Sequence, residues 1–232
     1  SILVYGEGWT GDDSPLSSED QALKVNTTKY GDLQIAAFSD DMRDAIKGHV
    51  FEDTTAGFIN GFNGLEDVIK FGIVASTKND QVEYTGGPDP FSGYGVTAWA
   101  NEPSQTINYA SAHDNLTLWD KLQTTNPNAT EEELLAMNKM SAALVLTSQG
   151  IPFFQAGEEL ARTKLNADGS FNHNSYNAPD SVNKFDWTRK EDYNDLFEYY
   201  KGLIALRKAH KSFKMNTTSD IQSSLNFLNV TD

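Results

Sequence analysis

The sequence predicts an α/β fold assembled from parallel strand–helix units. Four short apolar runs are spaced along the chain, and most are followed by a segment with helical periodicity. The chemically unusual residues fall just after those runs. Four such units fit either half of an eight-fold barrel or a small open sheet. A barrel collects its polar chemistry in the loops after the strand C-termini, and the placement of "GEGW", "AHDN" and "AGEE" favours it.

The first run, "ILVY" (residues 2–5), ends at a glycine and reads as a buried strand. The second is "QIAAFS" (34–39). Its Ser39 is placed to cap the helix "DDMRDAIKG", where Met42, Ala45 and Ile46 share a face and Gly48 is the stop. A long stretch rich in Gly, Asn and aromatics then runs to about Pro103, with one helix at "LEDVIKFGI" (65–73). "TINYAS" (106–111) is the third strand. Thr130 and Glu133 form a T-x-x-E capping box, opening a long helix that ends at Gly150. "IPFFQ" (151–155) is the fourth strand, and its loop runs to about Arg189. In the last helix, "YNDLFEYYKGLIALRKAH", Leu196, Tyr200, Leu203 and Leu206 recur on the side expected to be buried. Beyond His210, "SSLNFLNVTD" reads as the opening of a β-rich segment.

Composition narrows the function classes. A net charge of −15 argues against nucleic acid, which needs a face rich in lysine and arginine, but it does not penalise a neutral ligand such as a sugar. No apolar run reaches the 18 or so residues of a membrane span. The absence of cysteine excludes disulfides and thiolate metal sites while leaving the compartment open. Sequon triplets at Asn26, Asn115, Asn128, Asn216 and Asn229 are frequent by chance; with the acidic composition they fit an extracellular protein only loosely.

Two carboxylates stand out. Glu7 and Asp114 each follow a predicted strand, and on a closed barrel such strand ends converge on one mouth. Glycosidic hydrolysis needs that arrangement: a protonated carboxylic acid for the leaving oxygen and negative charge beside a developing oxocarbenium ion. Gly6 and Gly8 would leave room for a bulky sugar at Glu7. The same residues also read as a surface turn (Glu7) and a helix cap for "NLTLWDKL" (Asp114), and spacing alone does not choose. His113 can hydrogen-bond sugar hydroxyls, although a lone histidine is more often structural. The four histidines, His49, His113, His173 and His210, show no H-x-H or H-E-x-x-H spacing, which argues against a catalytic transition metal. No cofactor is required by this chemistry, and a structural calcium held by carboxylate and backbone oxygens stays open. Among the tryptophans, Trp9 in the glycine-rich loop is the best sugar platform, whereas Trp119 and Trp187 read as packing. Arg189 and Lys190 read as a solvated edge.

These residues resemble a known family. "VYGEGW" and "SAHDN" are similar to two conserved regions of the α-amylase superfamily, glycoside hydrolase family 13. With "FSDDMRDAIKG", "QGIPFFQAGEELARTK" and "SYNAPDSVNKFDW", the likeness is to type I pullulanases and runs in order to about His210. The resemblance implies that residues 1–210 are the second half (strands 5–8) of a catalytic (β/α)8 TIM barrel, and that 211–232 begin a C-terminal β-sandwich domain. It implies a retaining glycosidase acting on α-1,6 branch links of pullulan, starch or glycogen. Glu7 would be its general acid/base, Asp114 its transition-state stabiliser and His113 a sugar ligand; Trp9, Asn177 and Asp180 would bind further glucose units.

The family's nucleophile, an aspartate in a "GFRFD"-like stretch, has no counterpart here. The expectation is therefore a chain inactive alone, whose partners are an α-glucan and an N-terminal half of the same enzyme carrying the nucleophile. Alternatives are an isoamylase or α-1,4-acting hydrolase, a non-catalytic glucan-binding barrel, or a plain βα domain without a sugar site.

Overall fold

The structure, a computed structural model, describes residues 2–31, 33–84 and 97–229. Its centre is a four-stranded parallel sheet in the order β1 (Val4–Gly6), β2 (Ile35–Phe38), β3 (Thr106–Asn108) and β4 (Ile151–Pro152). The registers are Val4 with Ile35, Ala37 with Thr106 and Ile107 with Ile151. A doubly wound sheet reverses direction after its first strands, whereas this order rises monotonically with the chain. All four strand C-termini therefore face one end, where the loops carrying the polar motifs lie.

The helices form where local signals direct them. Ser39 caps α1 (Asp40–Lys47), accepting from the Met42 amide at 3.4 Å, and Gly48 ends it at φ 95°. Helix α2 (Glu66–Ile73) lies against α1 so closely that Met42 fills the space beside Gly72. Thr117, rather than Asp114, caps α3 (Leu118–Thr125), which frees the Asp114 carboxylate for other work. At the start of α4 (Glu131–Thr147) the Thr130 amide donates to Glu133 at 2.7 Å, and the Glu133 amide donates back to Thr130 Oγ1 at 3.3 Å. Two short helices, α5 (Asp180–Asn183) and α6 (Arg189–Asp192), precede α7 (Asn194–Ala209), which packs on α4.

Several expectations are corrected. The strand "ILVY" is an exposed edge, with Ile2 at 90% and Tyr5 at 51% accessibility, because it pairs only with β2 and no described helix covers it. On α7 the inward stripe runs Leu196, Tyr200 and Arg207, while Leu206 is exposed. Eleven residues make three turns, so position 207, not 206, returns to the Leu196 face. Arg207 is buried there by donating to the carbonyls of Leu146, Ser148 and Gly150 at 2.6–3.1 Å. Arg189 is not a solvated edge: its guanidinium donates to the Leu160 and Ala161 carbonyls and lies 4.8 Å from the Tyr193 ring. Trp119 does pack, buried against Tyr193, but Trp187 is exposed. Of the stretch read as opening a β-rich segment (223–232), Ser223 and Ser224 end α8 (Thr218–Ser224), residues 225–229 carry no strand, and 230–232 lie outside the described residues.

Candidate active site

Glu7 stands directly after β1, on a turn shaped by the next residue. Gly8 has φ +74°, and a Cβ there would sit 3.0 Å from Ala37 Cβ and 3.2 Å from the Lys24 nitrogen. Its glycine thus serves the turn itself, not space for a ligand, whereas nothing lies within 4 Å of a Cβ at Gly6. The turn is tied down by the Lys24 amide, which donates to the Gly8 carbonyl at 2.7 Å. Lys24 Nζ in turn pairs with Asp40 and, at 2.8 Å, with Asp41 at the start of α1. Asp41 is buried and also accepts from Trp99 Nε1 at 3.2 Å. Burial raises the pKa of Asp41, against the pull of Lys24.

The loop after β3 carries His113 and Asp114 and is held by buried groups on three sides. Tyr109 Oη accepts from Arg43 at 2.9 Å. Ser111 donates to Glu158 at 2.6 Å, and Lys164 Nζ donates to the His113 carbonyl at 3.3 Å. The next residue, Asn115, takes a left-handed φ of 62°, which turns the chain away and leaves the preceding side chains standing into solvent.

These two loops bring Glu7, His113 and Asp114 together, with one donor atom from each within 4.8 Å of the others. His113 Nε2 is 3.4 Å from Asp114 Oδ1. They line a cleft of about 950 Å³ with Trp9, Tyr5, Phe38 and Tyr109. Aromatic rings share the cleft wall with carboxylates and an imidazole, a lining that suits a neutral polyhydroxyl ligand. The three groups also form a mixed carboxylate–imidazole donor set, so the lack of an H-x-H spacing did not prevent such groups from converging across two loops. That set does not suit calcium, which takes six to eight oxygens.

Cleft residues missed from sequence include Tyr5, Phe38, Tyr109, His173 and Asn174, and a group on and just after α1. Asp40, Arg43, Lys47 and Phe51 reach the cleft from α1 and the loop behind it. Lys47 is 1% accessible at the cleft floor, and burial, reinforced by Arg43, pushes its pKa down to about 7. The loop beyond α1 is secured by Lys121 Nζ, which donates to the carbonyls of His49, Glu52 and Asp53 at 2.6–3.1 Å. Only the position of α1, directly after a strand end, signalled these residues. Asn177 and Asp180 do not line the cleft; both are exposed, Asn177 on the neighbouring loop, whose His173 and Asn174 do line it, and Asp180 at the start of α5. Asn183 braces that loop by donating to the Ser175 and Ala178 carbonyls.

No protein-family model matches the chain. It is 35% identical to the pullulanase of Bacillus subtilis over 230 residues, 99% of this chain and 29% of that protein. Over nearly its whole length the chain is similar to part of a pullulanase. Among solved structures, the pullulanase from Bacillus acidopullulyticus matches with a TM-score of 0.82 and 42% identity over 98% of this chain and 25% of that one. A Paenibacillus barengoltzii pullulanase, solved with maltohexaose and α-cyclodextrin, matches with a TM-score of 0.84 and 40% identity over 99% of this chain and 32% of that one. The chain thus spans between a quarter and a third of these pullulanases.

Proposed function

We propose that this chain supplies the acid/base half of a retaining α-1,6-glucan debranching hydrolase, with residues 1–210 forming strands 5–8 of a (β/α)8 barrel. The observation that carries the reading is the convergence of Glu7, His113 and Asp114 in one aromatic-walled cleft at the strand C-termini. The monotonic strand order supports the barrel, and the exposed apolar β1 supports a second polypeptide segment beside it.

In this reading Glu7 gives its proton to the bridging oxygen as the bond to the anomeric carbon breaks. A carboxylate on the second segment attacks that carbon and forms a glycosyl ester. Asp114 and His113 hold the ring hydroxyls and offset the positive charge that develops. Glu7, now a carboxylate, takes a proton from water; the water oxygen bonds to the anomeric carbon and the ester carboxylate leaves. The carboxylate spacing that separates retaining from inverting enzymes concerns acid and nucleophile, so the Glu7–Asp114 proximity does not report on it. No step needs a metal ion or cofactor.

The test is co-expression with a segment carrying the N-terminal barrel half of a pullulanase, followed by assay on pullulan. Maltotriose as product, lost on Glu7→Gln, is the expected result. Turnover by the chain alone would refute the two-segment reading. Products other than maltotriose would favour an isoamylase or α-1,4-acting enzyme, and glucan binding without turnover in the complemented protein would favour a binding barrel.

A further inference from the structure

We propose that Lys164 is a positioning residue of the cleft: it locks the loop that carries His113 and Asp114 to the loop that carries His173 and Asn174, and so fixes how a glucan lies between them. Lys164 is 4% accessible and does not line the cleft, so it acts through its neighbours. Its ammonium bridges the two loops: Nζ donates to the His113 carbonyl at 3.3 Å and to Ser175 Oγ at 2.6 Å. The His113 carbonyl belongs to the planar peptide that joins His113 to Asp114, so holding that oxygen limits the tilt of the plane from which both side chains depart. Ser175 directly follows His173 and Asn174, which line the cleft. The backbone of Lys164 grips the same loop at its other end, where its carbonyl accepts from the Asn172 amide at 2.8 Å. His173 and Asn174 are thus held between two contacts to a single residue.

Lys164 is itself fixed. Its amide donates to Asp120 Oδ2 at 2.9 Å, and Asp120 is fully buried in the first turn of α3. Leu165 pairs with Phe171 in an antiparallel bridge, so the chain leaves at Lys164 and returns beside it at Asn172. The segment that enters the cleft therefore starts from a hydrogen-bonded base. It reaches a third loop as well, because His173 Nδ1 is 3.5 Å from Asp53 Oδ2 beyond α1. Burying an ammonium costs free energy that an apolar side chain of similar length would avoid. What the ammonium adds is two directed bonds, one to each loop.

The two bonds bear on different stages of the proposed reaction. Asp114 offsets a charge that exists only in the transition state, so a tilt of its peptide falls on kcat. His173 and Asn174 face the glucan from the moment it enters the cleft, so loosening their loop falls on KM.

The inference rests on the proposed function, and the experiment separates the two. Pullulan turnover by the complemented protein would be followed for the parent, Ser175→Ala, Lys164→Met, Lys164→Arg and the double variant Ser175→Ala with Lys164→Met. Ser175→Ala cuts one bond and is expected to raise KM about two- to fivefold, the scale of one hydrogen bond. Lys164→Met cuts both; it should raise KM by a similar factor and lower kcat about 10- to 100-fold, the scale of a misplaced catalytic group. The double variant should show no further rise in KM, because Ser175 has no partner left to lose. Lys164→Arg keeps charged donors and should recover part of kcat. A lysine that only stabilised the fold would lower the thermal midpoint and the active fraction and leave KM at the parent value. Parent KM in Lys164→Met, or KM rises that multiply in the double variant, would overturn this inference alone, since turnover by the parent keeps the proposed function. If Lys164→Met does not fold, Ser175→Ala decides, and a parent KM there overturns the inference. No turnover by the complemented parent would overturn the proposed function and this role with it.

Discussion

Ser111 Oγ donates to Glu158 Oε1 across 2.6 Å, joining the loop that carries His113 and Asp114 to the loop after β4. Glu158 is 4% accessible and accepts a second bond, from the Gln155 amide at 3.0 Å. Burial dominates and pushes its pKa up to about 7, despite the Ser111 bond.

That shift makes stability depend on pH in a defined direction. Below pH 4.5 Glu158 is protonated in both folded and unfolded chains, and its contribution is complete. Between pH 4.5 and about 7 the unfolded chain releases a proton that the folded chain retains, so stability falls as pH rises. Glu158→Gln keeps an acceptor for Ser111 and removes the titration. Urea midpoints from pH 5 to pH 8 should show the variant gaining on the parent as pH rises. A gap that stays constant would refute the assignment.

Gly8→Ala places a Cβ in a left-handed turn and against Ala37. The conformational penalty alone is about 1–2 kcal/mol, to which the close contact adds. A lower denaturation midpoint with an unchanged m-value is the expected signature. In the complemented enzyme the same change should reduce kcat, because the turn sets the direction of Glu7.

Lys121→Met leaves the carbonyls of His49, Glu52 and Asp53 without their shared donor. Glu52 is exposed and His49 and Asp53 are half-buried, so water replaces the lost donor in part and the cost is about 0.5–1.5 kcal/mol. Amide exchange should accelerate in residues 49–53 more than in α3, which carries Lys121. Equal acceleration throughout would mean that the lysine stabilises the whole fold rather than this loop.

In the complemented protein, Glu7→Gln should lower kcat by about 10²- to 10⁴-fold, the range of a lost general acid/base. His113→Ala should act more on KM. Equal effects of both on kcat alone would remove His113 from ground-state sugar binding.

The signals that could be read from sequence lie close along the chain. The Ser39 cap, the Thr130–Glu133 box and the Gly48 stop each act within four residues or at a single backbone angle, so one short window contains both cause and effect. Glu7, His113 and Asp114 were legible because a strand end fixes where the next residues emerge. What failed depended on distant partners. β1 has a core-like composition, but only the surrounding elements decide whether anything covers it. Leu206 and Arg207 differ by one position, and the carbonyls at the end of α4 decide which turns inward. Trp187 resembles any core tryptophan until its neighbours are placed. Lys47 and Arg43 reach the cleft only because α1 starts at a strand end and runs beside it.

The monotonic strand order also has a kinetic meaning. On a ribosome this chain emerges in the order in which its sheet is laid out, so every strand after the first meets a partner already made. No strand must be inserted between two others, and no early pairing has to open for a late arrival. Within these four strands growth proceeds from β2 outward to β4 without reopening an earlier pair, while the exposed β1 margin stays free to pair with the second segment.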